Sequence, residues 1–420
     1  MSKKGNSHGK LLELDLRDSN LTKGHQKVSH PMTTPEYKLS KLLGLPETKV
    51  IQIDSSGLWQ CEKQSDFEIC HRCAQKADTI YDHRYVTVRD EPIRDRAITL
   101  RILKRRFWCK PCKKPFTESV PGILPRRRTT QRFKLAVFDA CETFADLKSV
   151  RQKFNVSSDF IYRTYFERLD LKQRMHANRP WPSAVGIDEH GFRKRRFTTM
   201  VVAHSNHKRR VIEVVDGKAQ TELTSALTEI PGRENVKYVS MDMCDAYRNF
   251  TKSFFPNAEI VADKFHILRL LSPALLRKRK EITGTNADKK ARGLLLRSAK
   301  GLDYFEQSAL YAFLKRYPEL DEIYHFKEAL HGFYRIKGQK RAQKAFIGLI
   351  DRMAHSKIKE IQTLRKTLIR WRVEVLNYFK TRITNGPVEG FNNRASLIKR
   401  RGYGYKNHKH YRLRILSACG

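Results

Sequence analysis

The chain has 420 residues, and its 84 Lys and Arg outnumber 44 Asp and Glu to give a formal charge of +40. With 40% apolar and 10% aromatic residues it has the material for real cores, which excludes a disordered basic tail, and no run of about 18 apolar residues offers a membrane span. An excess of positive charge on this scale repels itself unless a polyanion neutralises it, and the usual polyanion is nucleic acid.

Residues 1–47 are polar and basic and read as a flexible tail that ends in a short helix through Glu36 to Leu43. No apolar segment follows the first lysines, so no secretory signal is expected. Eight cysteines are too sparse for a disulfide scaffold, but four fall in two Cys-x-x-Cys pairs, Cys70/Cys73 and Cys109/Cys112. Four thiolates from two tight turns suit one structural zinc ion, so residues 48–122 are expected to form a zinc ribbon. The interval between the pairs is long for a compact finger and predicts an elongated hairpin, with β-type stretches at Tyr85 to Val88 and Ala97 to Leu103. Arg101, Lys104, Arg105, Arg106, Lys110, Lys113 and Lys114 crowd around the second pair beside Phe107 and Trp108, a composition suited to phosphate contact and stacking.

Residues 126–175 follow with helical spacing. Gln131 to Phe144 places Phe133, Val137, Phe138, Cys141 and Phe144 on one face, and Leu147 to Phe154 forms a second helix. After the turn Asn155-Val156-Ser157, Ser157 or Ser158 is suited to cap a third helix that runs to about Leu169. Helix, short turn and basic helix make a helix-turn-helix, although such patterns occur in many bundles. Arg126, Arg127, Arg128 and Arg163 are its candidate DNA contacts.

From Ala184 the pattern turns to β. Ala184 to Ile187, Phe197 to Ala203 and Arg210 to Val215 are followed by a helix, the strand Lys237 to Met241, another helix and the strand Glu259 to Ala262. Three strands, helix, strand, helix, strand is the order of a ribonuclease H-like sheet, in which the first and fourth strands are neighbours. Asp188 and Asp242, each expected near the C-terminal end of one of those strands, would then face each other. Adjacent carboxylates repel unless cations lie between them, and hard oxygen ligands suit magnesium or manganese. Glu189 adjoins Asp188 but points to the other face if the strand continues. Asp245, three residues after Asp242, stays open as an alternative on the residues alone.

A third carboxylate is offered by Asn385-Gly386-Pro387-Val388-Glu389-Gly390-Phe391-Asn392-Asn393, which opens a helix with Pro387 in its first turn. From Arg394 to Arg414 there are eight Lys or Arg and no acid, including Lys399, Arg400 and Arg401. By itself Glu389 is equally well explained as the complement of the helix dipole. Residues 271–370 carry helical patterning throughout and predict an all-helical insertion between 180–270 and 371–420, the two parts of the core.

Gly186-Ile187-Asp188-Glu189-His190, Met241-Asp242-Met243 with Ala246-Tyr247, Phe255-Pro256-Asn257-Ala258, Asp263-Lys264-Phe265-His266, Gly386-Pro387-Val388-Glu389-Gly390-Phe391-Asn392-Asn393 and Lys399-Arg400-Arg401-Gly402-Tyr403-Gly404-Tyr405 occur in that order. Together they resemble the DDE transposases of the ISL-three group of bacterial insertion sequences. The resemblance runs from Cys70 to the C-terminus. It implies a multidomain α+β protein: an N-terminal zinc ribbon, a helix-turn-helix and a ribonuclease H-like α/β catalytic core interrupted by an all-helical insertion. It also implies Asp188, Asp242 and Glu389 as the ligands of magnesium or manganese, with Asp263 and His266 in support, and it sets Asp245 aside. Arg105, Arg106, Lys113, Arg126, Arg127, Arg128, Arg163, Arg394, Lys399, Arg400 and Arg401 are the expected contacts to double-stranded DNA, both element ends and target. A homodimer or larger synaptic complex on the nucleoid in the bacterial cytoplasm is expected. A transposase-derived DNA-binding regulator and a ribonuclease H-like nuclease are the alternative functions.

Overall fold

The computed structural model describes residues 35–143, 146–175, 178–204, 209–284 and 289–420. Most of the expected N-terminal tail therefore lies outside the described residues. The chain divides into two compact units, the first ending at Phe133 and the second running from Lys134 to Gly420.

The first unit opens with α1 (Pro35–Leu43) and continues through β1 (Thr48–Ile53), β2 (Leu58–Lys63), β3 (Glu68–Ile69), β4 (Lys76–Ala77), β5 (Ile80–Ile93), β6 (Arg96–Cys109) and β7 (Lys114–Thr117). The sheet order is β1-β2-β6-β5, with β7 on the far end of β6. The hairpin is much longer than the apolar residues suggest: β5 and β6 run 14 residues each. Arg and Lys fill the exposed side, so apolar patterning reveals only its middle. Arg94 and Asp95 turn the hairpin with φ of 51° and 61°, the left-handed pair a two-residue loop demands. Ile98, Leu100 and Ile102 enter one core with Val50, Trp59 and Val88, whereas Phe107 and Cys109 enter another with Phe116. The inward positions change from even to odd numbers, so the ribbon presents opposite faces to two small cores.

The division falls inside α2 (Gln131–Thr143), which is followed by α3 (Leu147–Phe154) and α4 (Ser158–Arg174). Asp146 caps α3 by accepting from Ser149 N at 2.8 Å, Asn155 ends it with φ 46°, and Ser157 caps α4 by accepting from Phe160 N at 3.2 Å. The helix, turn and helix read from the sequence are therefore present with their caps.

The second unit's sheet contains β8 (Ala184–Arg193), β9 (Arg196–Ala203), β10 (Arg210–Asp216), β11 (Tyr238–Met241) and β12 (Glu259–Ala262), with α5 (Gln220–Leu227) and α6 (Asp245–Phe254) between strands. Its order is β10-β9-β8-β11-β12. The first three strands are antiparallel, and β8, β11 and β12 run parallel. Both faces are covered, which is why the strands read as near-continuous apolar runs. One face packs Val185, Ile187, Val201 and Val239 against Leu223, Tyr247, Phe250 and Phe254 of α5 and α6.

Among the described residues, helices then follow without a strand: α7 (Lys264–Arg269), α8 (Ser272–Thr283), α9 (Lys289–Leu296), α10 (Tyr304–Leu314), α11 (Pro318–Arg335), α12 (Gln339–Ala354), α13 (Lys359–Arg370), α14 (Arg372–Thr381), α15 (Gly386–Arg401) and α16 (His408–Cys419). Leu275, Leu310, Tyr324, Phe346 and Leu364 share one core that is continuous with Val261 and Ala262 of β12. The helical block is thus built into the sheet's edge. α15 and α16 cover the other sheet face, where Val388, Ala395, Ile398, Tyr411 and Ile415 meet Met200, Val202 and Val214.

α16 also carries α4. Leu413 is buried with Phe138, Tyr165 and Leu169, and Phe166 stacks on His410 with ring centroids 3.6 Å apart. Arg414 reaches Glu142 at 2.6 Å. Leu413→Ala is expected to destabilise the second unit by about 2–5 kcal/mol, because it leaves a cavity between α4 and α16. Urea unfolding measures this, and a change below about 1 kcal/mol means that α4 is held elsewhere.

Candidate metal-binding active site

The parallel ladder between β8 and β11 ends at the pair Ile187–Met241. The next residue on each strand is Asp188 or Asp242, so backbone register alone sets the two carboxylates side by side. The sequence places Asp188 near a strand end, and this needs correction. β8 continues to Arg193 as a hairpin with β9, and Asp188 pairs with Met200 in mid-strand. Only its parallel partner stops. Glu189 turns away and binds Lys218 at 2.9 Å. Asp245 opens α6 and pairs with Arg370 at 2.5 Å. Neither joins the cluster, although Glu189 lines its margin.

The cleft is lined by Asp188, Glu189, Asp242, Asp263, His266, Arg269, Asn385 and Glu389. Ligand atoms of Asp188, Asp242 and His266 lie within 4.8 Å of one another. Asp188 is 8% exposed and accepts from Glu189 N at 2.8 Å and from Asn392 Nδ2 at 2.9 Å. Burial, reinforced by Asp242, pushes its carboxyl up to about 7. His266 Nδ1 lies 2.6 Å from Asp242 Oδ1 and donates to Asp263 Oδ2 at 3.0 Å. These two carboxylates, Asp242 first, hold its proton up to about 10. The approach to Asp242 is a charge contact without hydrogen-bond alignment, since Asp242 Oδ1 is buried and has no hydrogen bond among the described residues. An orphaned carboxylate oxygen beside a second buried carboxylate is what a divalent cation satisfies, and the all-oxygen pair suits magnesium or manganese.

Asp263 and His266 enter this geometry from the start of α7. Asp263 is 2% exposed, caps α7 by accepting from His266 N at 3.3 Å, and accepts from Asn385 N at 3.0 Å. Glu389 stands in the first turn of α15 and lines the cleft, but its carboxylate is outside the three-residue group. It lies 3.7 Å from Arg269, with both side chains more than half exposed. Such a pair contributes little and leaves Glu389 free to turn. The sequence puts Asn392 or Asn393 on the helix face of Glu389 and names Asn385 only as the start of that segment, with no role assigned to either. Both sit in the segment that carries Glu389, and an amide there gives no signal until the strands are folded against it.

In the first unit the four sulfurs of Cys70, Cys73, Cys109 and Cys112 lie within 4.8 Å of one another. A zinc ion with bonds of about 2.3 Å places tetrahedral sulfurs about 3.8 Å apart, within that limit. The Arg72 N–H draws the Cys70 thiol down to about 7, whereas Cys73 and the other sulfurs push Cys112 up to about 12. Four thiolates at this spacing need a cation, and the donor set fits zinc.

The expected phosphate contacts divide by environment. Lys113, Arg126, Arg127, Arg128, Arg394, Arg400 and Arg401 are exposed. Arg106 is held by Asp82 at 2.7 Å, Arg163 by Asp159, and Lys399 donates to Gly191 O at 2.5 Å. Arg105 requires a correction: its guanidinium is turned inward onto Glu118, Lys63 O and Ser65 O. The buried Glu118 carboxylate takes it, and Phe107 beside it is fully buried as well.

Two outcomes follow from these geometries. Cys109→Ser is expected to abolish binding of about one zinc per chain and to lower the first unit's melting temperature. Metal analysis and calorimetry check both, and an unchanged melting temperature excludes a structural ion. At the carboxylates, an ion must displace the proton that Asp188 holds below about pH 7. Mn2+ affinity should therefore fall by up to about tenfold per pH unit as the pH drops below 7. Electron paramagnetic resonance from about pH 5 to pH 9 reads this, and a profile flat across 7 removes Asp188 as a ligand.

Comparisons with known proteins give the chain its family. The model of the ISL-three DDE family, described as "Transposase", matches residues 185–415. That span includes every carboxylate of the cleft and His266. The transposase for insertion sequence element IS1001 of Bordetella parapertussis is 24% identical over 367 residues, covering 83% of this chain and 88% of that protein. No described helix is long and apolar enough to cross a membrane. With more than half of its length matched by one family model, this chain belongs to the ISL-three family of DDE transposases.

Proposed function

We propose that this chain binds the terminal inverted repeats of an insertion sequence and cuts and joins DNA with divalent metal held by Asp188, Asp242 and Glu389. The single observation that carries this reading is the buried Asp188–Asp242 pair, with one Asp242 oxygen left without a hydrogen bond. The β10-β9-β8-β11-β12 order, antiparallel then parallel, supports a ribonuclease H-like core for the second unit.

Two divalent ions, when bound, activate the attacking oxygen and stabilise the leaving one at phosphorus. The residues present them and the DNA. Asp188 and Asp242 provide the rigid part of the site because backbone register fixes them. Asn392 orients Asp188 through its amide, and Asp263 fixes His266 beside Asp242. Glu389 completes the site by turning from Arg269, whose guanidinium is then available to a phosphate. No side chain has to act as nucleophile, since water and then the freed 3′-hydroxyl attack in line.

Arg126, Arg127, Arg128 and Lys113 on the first unit, and Arg394, Arg400 and Arg401 on α15, are proposed as the principal DNA contacts. Arg106, Arg163 and Lys399 must first release internal partners, and Arg105 serves the fold. The α3–α4 pair is proposed as the helix-turn-helix, and the four cysteines as a structural zinc site. Joining two ends requires two active sites, so a homodimer or larger complex on bacterial cytoplasmic DNA is proposed.

Asp188→Asn, Asp242→Asn and Glu389→Gln are each expected to slow cutting of duplex carrying the gene's flanking DNA by roughly a thousandfold or more, about 4 kcal/mol in the transition state. Mobility-shift binding to the same duplex should be unchanged. Cutting retained in one variant removes that residue from the site, and cutting retained in strong chelator overturns the metal reading.

A further inference from the structure

We propose that Asn385 is a positioning residue that locks the helix bearing Glu389 and Asn392 onto the two strands bearing Asp188 and Asp242. The inference rests on the metal-site reading above and names the device that assembles the site from distant parts of the chain. Asn385 is 3% exposed, and its polar groups all have partners. Its amide Nδ2 donates to Ile187 O at 3.1 Å, on the residue before Asp188. Its Oδ1 accepts from Ser240 Oγ at 3.0 Å, two residues before Asp242. Its backbone N–H donates to Asp263 Oδ1 at 3.0 Å, and its carbonyl accepts from Glu389 N at 3.1 Å, beginning α15. One side chain therefore touches both aspartate strands, while its backbone joins Asp263 to the helix of the third carboxylate.

The chemistry selects Asn. The Ile187 side needs a donor and the Ser240 side an acceptor, at the reach of one short side chain. Asp lacks the donor and Leu lacks both. The strand is shaped to receive it: a Cβ on Gly186 would lie 2.9 Å from Asn385 Oδ1, with Val388 and His204 nearer still. His204 Nε2 stands 2.9 Å from Ser240 Oγ, and burial holds its imidazole down to about 4, so it is neutral and continues the chain. Val388, Ala395 and Ile398 hold α15 on the sheet by apolar packing. That packing secures attachment but is non-directional, whereas the hydrogen bonds of Asn385 to Ile187, Ser240 and Asp263 fix where along the strands the helix begins.

The test is a double-mutant cycle on the full chain, reading Mn2+ binding by electron paramagnetic resonance beside DNA cutting. Asn385→Ala is expected to weaken Mn2+ roughly 10–100-fold, as loss of an outer-shell partner does. Because part of its effect runs through the placement of Glu389, adding it to Glu389→Gln should weaken binding by less than the product of the two separate losses. Ser240→Ala removes one partner with little change of volume and keeps the test open if Asn385→Ala does not fold. A loss of the same kind, smaller in the Glu389→Gln background, is expected from it. Wild-type Mn2+ affinity in the foldable variants, or losses that multiply in the double variant, overturns the inference while leaving the metal site intact. Absence of Mn2+ binding by the wild-type chain overturns the metal-site reading and the inference with it.

Discussion

Two carboxylates placed side by side in a buried cleft repel each other, and much of the second unit is arranged around that repulsion. Asp188 and Asp242 meet because one strand ends where its parallel neighbour continues. Their proximity raises the affinity of the site for any positive charge, and the nearest one is His266, held protonated between Asp242 and Asp263. A divalent cation answers the same field more completely, since it can satisfy the Asp242 oxygen that the imidazole leaves without a hydrogen bond. The neighbours of the pair are amides and one histidine: Asn392 on Asp188, Asn385 on the strands, and His266 beside Asp242. The two amides hold the pair without adding charge, whereas the protonated His266 offsets part of the charge at Asp242.

The large positive charge follows a related division. Several acids are taken up inside the fold, where each holds an arginine: Glu118 with Arg105, Asp90 with Arg132, and Glu213 with Arg412. Removing one partner of such a pair strands a buried charge, so these arginines belong to the fold. Arg126, Arg127, Arg128, Arg394, Arg400 and Arg401 stay exposed. Composition therefore reports affinity for a polyanion, while burial decides which cations can reach it.

The packing of α4 on α16 gives the second unit a further property. α4, the second helix of the proposed helix-turn-helix, shares Leu413 and the Phe166–His410 stack with a helix that also covers β10 and β9. A contact of that kind fixes how the two elements are oriented to each other. The apolar core that joins β12 to the helical block does the same at the other edge of the sheet.

Most of the secondary structure was legible in the sequence because local patterns encode it. The helix cap at Ser157, the apolar runs of β8 to β12 and the Cys-x-x-Cys pairs each carry their physics within a few residues. The strand order placed Asp188 beside Asp242, since register follows from which strands are neighbours. The full length of the β5–β6 hairpin was hidden because charged residues occupy its exposed side. Tertiary structure alone decided the rest. Arg105 turns inward because a buried Glu118 waits there, and Asp245 is diverted to Arg370. Glu389 faces Arg269 at the cleft's edge, and Asn385 and Asn392 become parts of the site. For Asp245, Glu389, Asn385 and Asn392 the partner lies more than 100 residues away in the chain, and only the fold brings it near.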